Sequence, residues 1–142
     1  MKPHDIQNII FTRDAIEQRV EQLIDEIAGE CDAKNLVILG ILRGSFIFMA
    51  DLVRGFERHR IHPKIDFITL SSYGAGTSSS GKVVIAHDTS EDLKGADVVV
   101  VDDILDSGRT LAFSRQLFLE RGARSVRTCV MLDKKTERAV KM

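Results

Sequence analysis

The chain has 142 residues, of which 44% are hydrophobic, so it can bury one sizeable core but is too short to divide into two. We therefore predict a single domain over residues 1–142. Basic and acidic side chains nearly cancel to a formal net charge of -1, so bulk charge does not favour a nucleic-acid partner. No apolar run approaches the length of a membrane span, so we expect no membrane association and a cytoplasmic location. Cys31 and Cys129 lie far apart, which argues against a disulfide framework and a zinc knuckle and favours buried thiols.

The first third of the chain predicts a helix, a strand and a second helix. Thr12 is the expected cap of a helix that ends near Gly29, because apolar residues recur between them at steps of three and four. The apolar run 36–39 predicts a short strand that stops at Gly40. After a turn, an apolar segment that ends at Val53 predicts the second helix.

The middle of the chain predicts three strands. Residues 65–70 and 83–86 have strand character, and the segment 71–81 that joins them is rich in glycine and serine. The run Val98–Val101 consists of β-branched residues only, which is typical of a parallel strand covered on both faces. We expect this valine run to be the central strand.

A helix over 110–121, closed by Gly122, and a strand over 126–132 complete the pattern. Strands that alternate with helices predict an α/β fold, a doubly wound and mostly parallel sheet with helices on both faces. In such a fold, ligands bind at the carboxyl ends of the strands.

The segment 98–110 places functional groups where that rule expects them. A buried strand leads into aspartates and then into a small, hydroxyl-rich turn that opens a helix. Backbone N–H groups of such a turn form an anion receptor, Gly108 permits close approach of a phosphate, and Ser107 and Thr110 add hydroxyl donors. Taken alone, a short acidic turn of this kind more often only caps a helix.

A phosphate held in the turn would place its sugar over the end of the strand. Asp102 and Asp103 can then accept hydrogen bonds from ribose hydroxyls or hold Mg²⁺ through oxygen, so they are the candidate metal site. Asp106 would lie nearest the reacting centre.

The whole arrangement resembles the PRPP-binding signature of type I phosphoribosyltransferases, where PRPP is 5-phosphoribosyl-1-pyrophosphate. The signature has four hydrophobic residues, two acidic residues, two apolar residues, and then Asp, Ser or Thr, Gly and a later Ser or Thr. The resemblance implies the type I phosphoribosyltransferase fold, Mg²⁺ as cofactor, and Asp106 as the catalytic group that handles the N7 proton of the base. The residues it assigns to PRPP and its ribose phosphate are Asp102, Asp103, Asp106, Ser107, Gly108, Arg109 and Thr110.

The segment 40–52 resembles the pyrophosphate-binding loop of hypoxanthine-guanine phosphoribosyltransferases. The resemblance assigns pyrophosphate binding to Leu42, Arg43 and Gly44, with a cis peptide bond between Leu42 and Arg43. The family more often has lysine at the position of Arg43. Taken alone, this tetrapeptide is more typical of an ordinary strand-to-helix turn.

Two further segments resemble functional parts of the same family. Ser72 and Tyr73, with the Gly/Ser stretch after them, resemble the mobile loop that closes over PRPP; a flexible hairpin connection is the alternative. In the segment 130–138, Lys134 matches the residue that recognises the purine, and Arg138 matches one that reaches pyrophosphate. Without the resemblance, this charged segment would be read as a solvated loop.

The resemblance therefore implies a purine salvage enzyme. It would transfer the phosphoribosyl group of PRPP to hypoxanthine, guanine or both, as a homodimer or homotetramer. The chain stops at Met142, before the segment that supplies the family's stacking aromatic residue and a further acidic ligand, so we expect it to be C-terminally incomplete relative to the family. Alternatives are a phosphoribosyltransferase for another base such as xanthine, a PRPP-sensing regulatory protein, and a PRPP-binding remnant without catalysis.

Overall fold

The computed structural model describes residues 8–73, 82–105 and 108–134. These residues contain helices and strands in alternation, with an antiparallel hairpin in the middle of the chain. In chain order the elements are α1 (Arg13–Glu30), β1 (Leu36–Ile41), α2 (Phe46–Gly55), β2 (Lys64–Tyr73), β3 (Lys82–His87), β4 (Asp97–Leu105), α3 (Arg109–Glu120) and β5 (Ser125–Asp133). Among the described helices, none combines the length and the apolar character needed to span a bilayer.

The five strands form one sheet in the order β3-β2-β1-β4-β5. Strands β1, β2, β4 and β5 are parallel, and β3 runs antiparallel to β2. The predicted doubly wound, mostly parallel sheet is therefore confirmed. The prediction that the valine strand is central is wrong, because β1 takes that place and β4 lies between β1 and β5. Burial on both faces requires only that helices cover the strand, so it does not distinguish the central strand from its neighbour.

Two hydrophobic layers enclose the sheet, and the valines of β4 contribute to both. Val99 and Val101 pack in the layer that includes α1 and α2. Val98 and Val100 pack in the layer that includes α3. All four are at most 1% exposed, so β4 is fixed from both sides up to the aspartates that follow.

Strand β1 does not stop at Gly40 as predicted but continues to Ile41. A Cβ at Gly40 would collide with the sulfur of Met49 and come within 3.0 Å of the Phe67 ring. The glycine therefore serves close packing of α2 and β2 around β1. Strand β4 is also longer than the valine run, since it pairs with β5 as far as Leu105, so Asp102 lies within the strand.

Helix α1 begins as predicted, because the Thr12 hydroxyl accepts a hydrogen bond from the Ala15 N–H at 3.1 Å. Ile24 and Ile27 are buried, whereas Ile16, expected on the same apolar face, is 38% exposed. The predicted apolar face therefore packs on the core from Val20 onward, and Ile16 is the member that departs from it.

Three isolated side chains complete the description of the fold. Cys129 is buried as expected, Cys31 is half-buried, and both are free thiols. His59 lies 2.8 Å from a carboxylate oxygen of Asp25, so it joins α1 to the segment after α2. The part of the chain that the structure describes contains no group of three residues suited to hold a metal through His, Cys, Asp or Glu.

Asp97 anchors the amino end of β4. Its side chain is 1% exposed and accepts hydrogen bonds from the Asp32 N–H at 2.7 Å, from the Ser125 hydroxyl at 2.7 Å and from Arg124. The Arg124 guanidinium, ahead of the other donors, holds the pKa of the Asp97 carboxyl well below its usual range. This network, in which Asp97 is buried and Arg124 is largely exposed, lies at the end of β4 opposite to the predicted ligand site.

Candidate active site

The carboxyl ends of β1, β4 and β5 meet at one edge of the sheet, and the chain crosses from one side of β1 to the other between β2 and β4. Such a switch point leaves a crevice where ligands bind in open α/β sheets. The Leu42 N–H donates to the Ile68 carbonyl at 2.9 Å, and the Lys134 N–H donates to the Leu105 carbonyl at 3.0 Å. These bonds bring the predicted pyrophosphate turn and the predicted purine-recognition residue to the same edge as the signature segment.

The turn between β1 and α2 has the backbone that the resemblance implies. The Leu42–Arg43 peptide bond is cis, as expected. Arg43 and Gly44 are exposed, whereas Ser45 behind them is 0% exposed. The turn therefore presents its backbone and a guanidinium side chain to solvent.

Gly44 lies directly against Asp103, a contact that the sequence did not reveal. A Cβ at Gly44 would overlap the Asp103 carboxylate and lie 2.6 Å from its carboxyl carbon. The Asp103 carboxylate is itself oriented, since it accepts a hydrogen bond from the Ile104 N–H at 2.8 Å. The residue assigned to ribose and the turn assigned to pyrophosphate are thus immediate neighbours.

Asp102 is half-buried. The pKa of its carboxyl is raised to about 7, mainly by burial and further by the adjacent Asp103 carboxylate. A hydrogen bond from the Asp103 N–H at 2.8 Å acts in the opposite direction, because it favours the charged form. The pair therefore concentrates carboxylate oxygens at the end of β4 in a partly dry environment, where a cation or a hydroxyl donor would be favourable.

Gly108 has the conformation that the predicted anion-binding turn requires. It lies at the amino end of α3 with φ of +82°, in the left-handed region that glycine adopts without penalty. Its carbonyl accepts the Ala112 N–H at 2.9 Å, which closes the first turn of α3. Arg109 and Thr110 follow as half-buried residues of that first turn.

Three predicted site residues lie outside the described residues, and their roles stay predictions. They are Asp106, Ser107 and Arg138.

Ser72 and Tyr73 are the last residues of β2, where the backbone pairs with Val83 and Lys82 of β3. The strand predicted to end at Leu70 therefore continues to Tyr73, and the assignment of Ser72 and Tyr73 to a mobile loop stays a prediction. The rest of that loop, residues 74–81, lies outside the described residues.

Two cavities of about 700 and 770 Å³ run along β5, between that strand and the helices. Their lining residues come mainly from α1, α3 and β5 and include neither the turn at Leu42–Gly44 nor the pair Asp102 and Asp103. The larger one reaches Asp133, next to Lys134. Neither cavity therefore coincides with the candidate site at the carboxyl edge of β1 and β4.

Comparison with known proteins agrees with this geometry. Residues 7–142 match the family model of the phosphoribosyl transferase domain. The hypoxanthine-guanine phosphoribosyltransferase of Dictyostelium discoideum is 43% identical over 130 residues, which span 91% of this chain and 72% of that protein. The enzyme of that name from Streptococcus pyogenes serotype M3 is 37% identical over 142 residues, which span 100% of this chain and 77% of its own length.

Solved structures give the same result. A hypoxanthine phosphoribosyltransferase from Staphylococcus aureus superposes with a TM-score of 0.88 at 32% identity, covering 98% of this chain and 74% of its own. The Trypanosoma cruzi enzyme in complex with the product IMP also has a TM-score of 0.88 at 32% identity, covering 100% and 79% respectively. The chain therefore belongs to the phosphoribosyltransferase family, and within it to the hypoxanthine-guanine phosphoribosyltransferases.

Proposed function

We propose that the carboxyl edge of the sheet transfers the 5-phosphoribosyl group of PRPP to hypoxanthine or guanine. The products are pyrophosphate and the nucleoside monophosphate, so the protein acts in purine salvage. The single observation that carries this proposal is the contact between Gly44 and Asp103, because it joins a pyrophosphate turn to a ribose-binding strand. The relatives' names supply the choice of base.

The 5-phosphate of PRPP binds at the amino end of α3. Gly108 gives the turn its left-handed bend, and the first N–H groups of α3 with the Thr110 hydroxyl supply donors to an anion. Ser107 and the Arg109 backbone N–H are proposed as further donors to the 5-phosphate. This position places the ribose over the end of β4, within reach of Asp102 and Asp103.

Pyrophosphate leaves from the side of the β1–α2 turn. Arg43 is exposed there, and the backbone N–H groups of the turn add neutral donors. Donors fixed before the reaction stabilise the negative charge that grows on the leaving group, and they need no reorganisation at that moment. Arg138 is proposed as a second cation for the same group.

Asp102 and Asp103 fit a magnesium ion by the chemistry of their donors. Hard divalent cations prefer carboxylate oxygens, and a cation would favour the charged form of Asp102, whose pKa burial raises to about 7. When bound, Mg²⁺ would neutralise phosphate charge and orient the pyrophosphate group of PRPP. The same carboxylates place negative charge near the ribose, which carries positive charge only in the transition state.

The purine binds between the ends of β4 and β5. The backbone bond from Lys134 to Leu105 places this lysine beside the residue that precedes Asp106. Lys134 is proposed to donate to the exocyclic oxygen at C6, which selects hypoxanthine or guanine. Asp106 is proposed to accept the N7 proton of the purine. The loop at Ser72 and Tyr73 is proposed to close over the site and exclude water that would hydrolyse PRPP.

The family resemblance further favours a cytoplasmic location and a homodimer or homotetramer. Sedimentation of the purified chain would measure the oligomeric state directly.

The activity is tested by incubating the purified chain with PRPP, Mg²⁺ and one base at a time, while pyrophosphate release and nucleotide formation are followed. Conversion of hypoxanthine or guanine supports the proposal. Conversion of xanthine alone would replace the base assignment, and PRPP binding without nucleotide formation would favour a regulatory protein or a remnant.

The site is tested with a matched pair of arginines. Arg43→Ala is expected to raise the KM for PRPP by about 10- to 100-fold, since hydrogen bonds to charged groups contribute about 1.5–3 kcal/mol. Arg54→Ala removes an exposed arginine from α2 and should leave that constant unchanged. Equal effects of the two substitutions would contradict the assignment of the turn.

A further inference from the structure

Ser45 is a buried polar residue directly behind the proposed pyrophosphate turn. Its exposure is 0%, whereas Arg43 and Gly44 immediately before it are exposed. A hydroxyl group at such a depth is costly unless it has a hydrogen-bond partner. The position of Ser45 therefore depends on the bond that it makes.

The Ser45 hydroxyl donates to the carbonyl oxygen of Ile41 at 2.6 Å. Ser45 stands at the amino end of α2, where a serine side chain commonly accepts a hydrogen bond from the helix backbone. It makes no such capping bond here. Instead, the side chain reaches back across the turn to the last residue of β1.

This bond closes the turn from behind. Two backbone bonds also hold it, from the Leu42 N–H to Ile68 and from the Phe46 N–H to Arg43 at 3.3 Å. Among these three bonds, the one from Ser45 is made by a side chain, so it can be removed without changing the backbone chemistry. It connects the residue before the turn to the residue after it, and so limits how far the turn can open.

We propose that Ser45 is a positioning residue for pyrophosphate: through Ile41 it holds the N–H groups and the guanidinium of the turn where they meet the leaving group. This inference rests on the proposed pyrophosphate site at Leu42–Gly44. Ser45 itself is buried behind the turn and acts only through the turn.

Loss of the Ser45 hydroxyl should therefore affect one substrate selectively. In Ser45→Ala, the turn loses the hydrogen bond from the Ser45 hydroxyl to the Ile41 carbonyl. The KM for PRPP and the inhibition constant of pyrophosphate should each rise about 5- to 10-fold, the size expected for one hydrogen bond. The KM for hypoxanthine should stay within about twofold, because the purine binds near β5.

Two further variants separate positioning from a general loss of stability. Ser45→Cys keeps a similar shape with a weaker donor, so its constants should lie between those of the wild type and Ser45→Ala. Ser125→Ala removes a hydroxyl that donates to Asp97 at the opposite end of the sheet. It should lower the thermal midpoint while both KM values stay unchanged.

Arg43→Ala distinguishes failure of this inference from failure of the proposed site. If Arg43→Ala weakens pyrophosphate binding and the Ser45 variants do not, Ser45 is only structural and the inference is overturned. If none of them affects pyrophosphate, the proposed site itself fails. A parallel rise in the constants for PRPP and hypoxanthine in Ser45→Ala would also overturn the inference, since it would indicate general disorder.

Discussion

Replacing Gly44 by alanine tests the contact on which the active-site assignment depends. The added Cβ would overlap the Asp103 carboxylate, and its distance to the carboxyl carbon would be 2.6 Å. Carbon atoms in contact are normally separated by about 3.5–4.0 Å. About 1 Å must therefore be gained by moving the turn or the carboxylate.

Either movement alters the site. The Asp103 carboxylate would have to give up its hydrogen bond from the Ile104 N–H at 2.8 Å, or the turn would have to withdraw from β4. Misplacement of a positioning group by about 1 Å can cost about 10²-fold in rate. We therefore expect kcat/KM for PRPP to fall by about 10²-fold, equivalent to about 2.7 kcal/mol of transition-state stabilisation.

The assay is steady-state formation of the nucleoside monophosphate with PRPP varied at saturating hypoxanthine. Gly29→Ala is the control, because a Cβ at Gly29 meets nothing within 4 Å and should leave the kinetics unchanged. If Gly44→Ala kept kcat/KM within about threefold of the wild type while Asp103→Ala abolished activity, the reasoning from this contact would be refuted.

Three further predictions concern the other end of the site and the anchor of β4. Gly108→Ala places a side chain on a residue with φ of +82°, so it should lower the unfolding free energy by about 1–2 kcal/mol, as measured by urea titration. The same substitution should raise the KM for PRPP in steady-state kinetics. Asp106→Asn should lower kcat far more than it weakens PRPP binding; equal losses would argue against its role as base. Asp97→Asn should destabilise the fold by about 2–3 kcal/mol at pH 7. Because the pKa of Asp97 is lowered in the folded state, its charge stabilises the fold above about pH 4, and this stabilisation is lost as the pH falls further. The difference in unfolding free energy between the wild type and Asp97→Asn should therefore shrink below about pH 4 in denaturant titrations.

The order of elements could be predicted from the sequence because hydrophobic periodicity reports burial. The valine run of β4 and the repeat of α1 are strong signals of this kind. The ends of the strands were less predictable. Strand β1 continues through Gly40, since its place is set by packing against Met49 and Phe67, which are distant in sequence. Strand β2 continues to Tyr73 because β3 pairs with it.

The site was predictable where a short segment carries its own chemistry. Gly108 could be identified because a phosphate-binding turn requires a residue with positive φ before a helix. The contact between Gly44 and Asp103 could not be identified in this way, because it joins segments about sixty residues apart and depends on the order of strands in the sheet. The role proposed for Ser45 could not be predicted for a different reason: it depends on the burial of the side chain, which the sequence LRGS does not reveal.

The two ends of β4 show how one strand separates stability from function. Asp97 at the amino end has an arginine partner, and its pKa is lowered, so its charge stabilises the fold. Asp102 at the carboxyl end is subject mainly to burial and to the neighbouring Asp103 carboxylate, which raise its pKa to about 7. A carboxyl group that the fold itself does not favour as a charge is costly for stability, and such groups occur mainly where a ligand completes their environment. Under the proposed function, the ligand that would complete the environment of Asp102 is the ribose of PRPP with a magnesium ion, at the end of β4 opposite to Asp97.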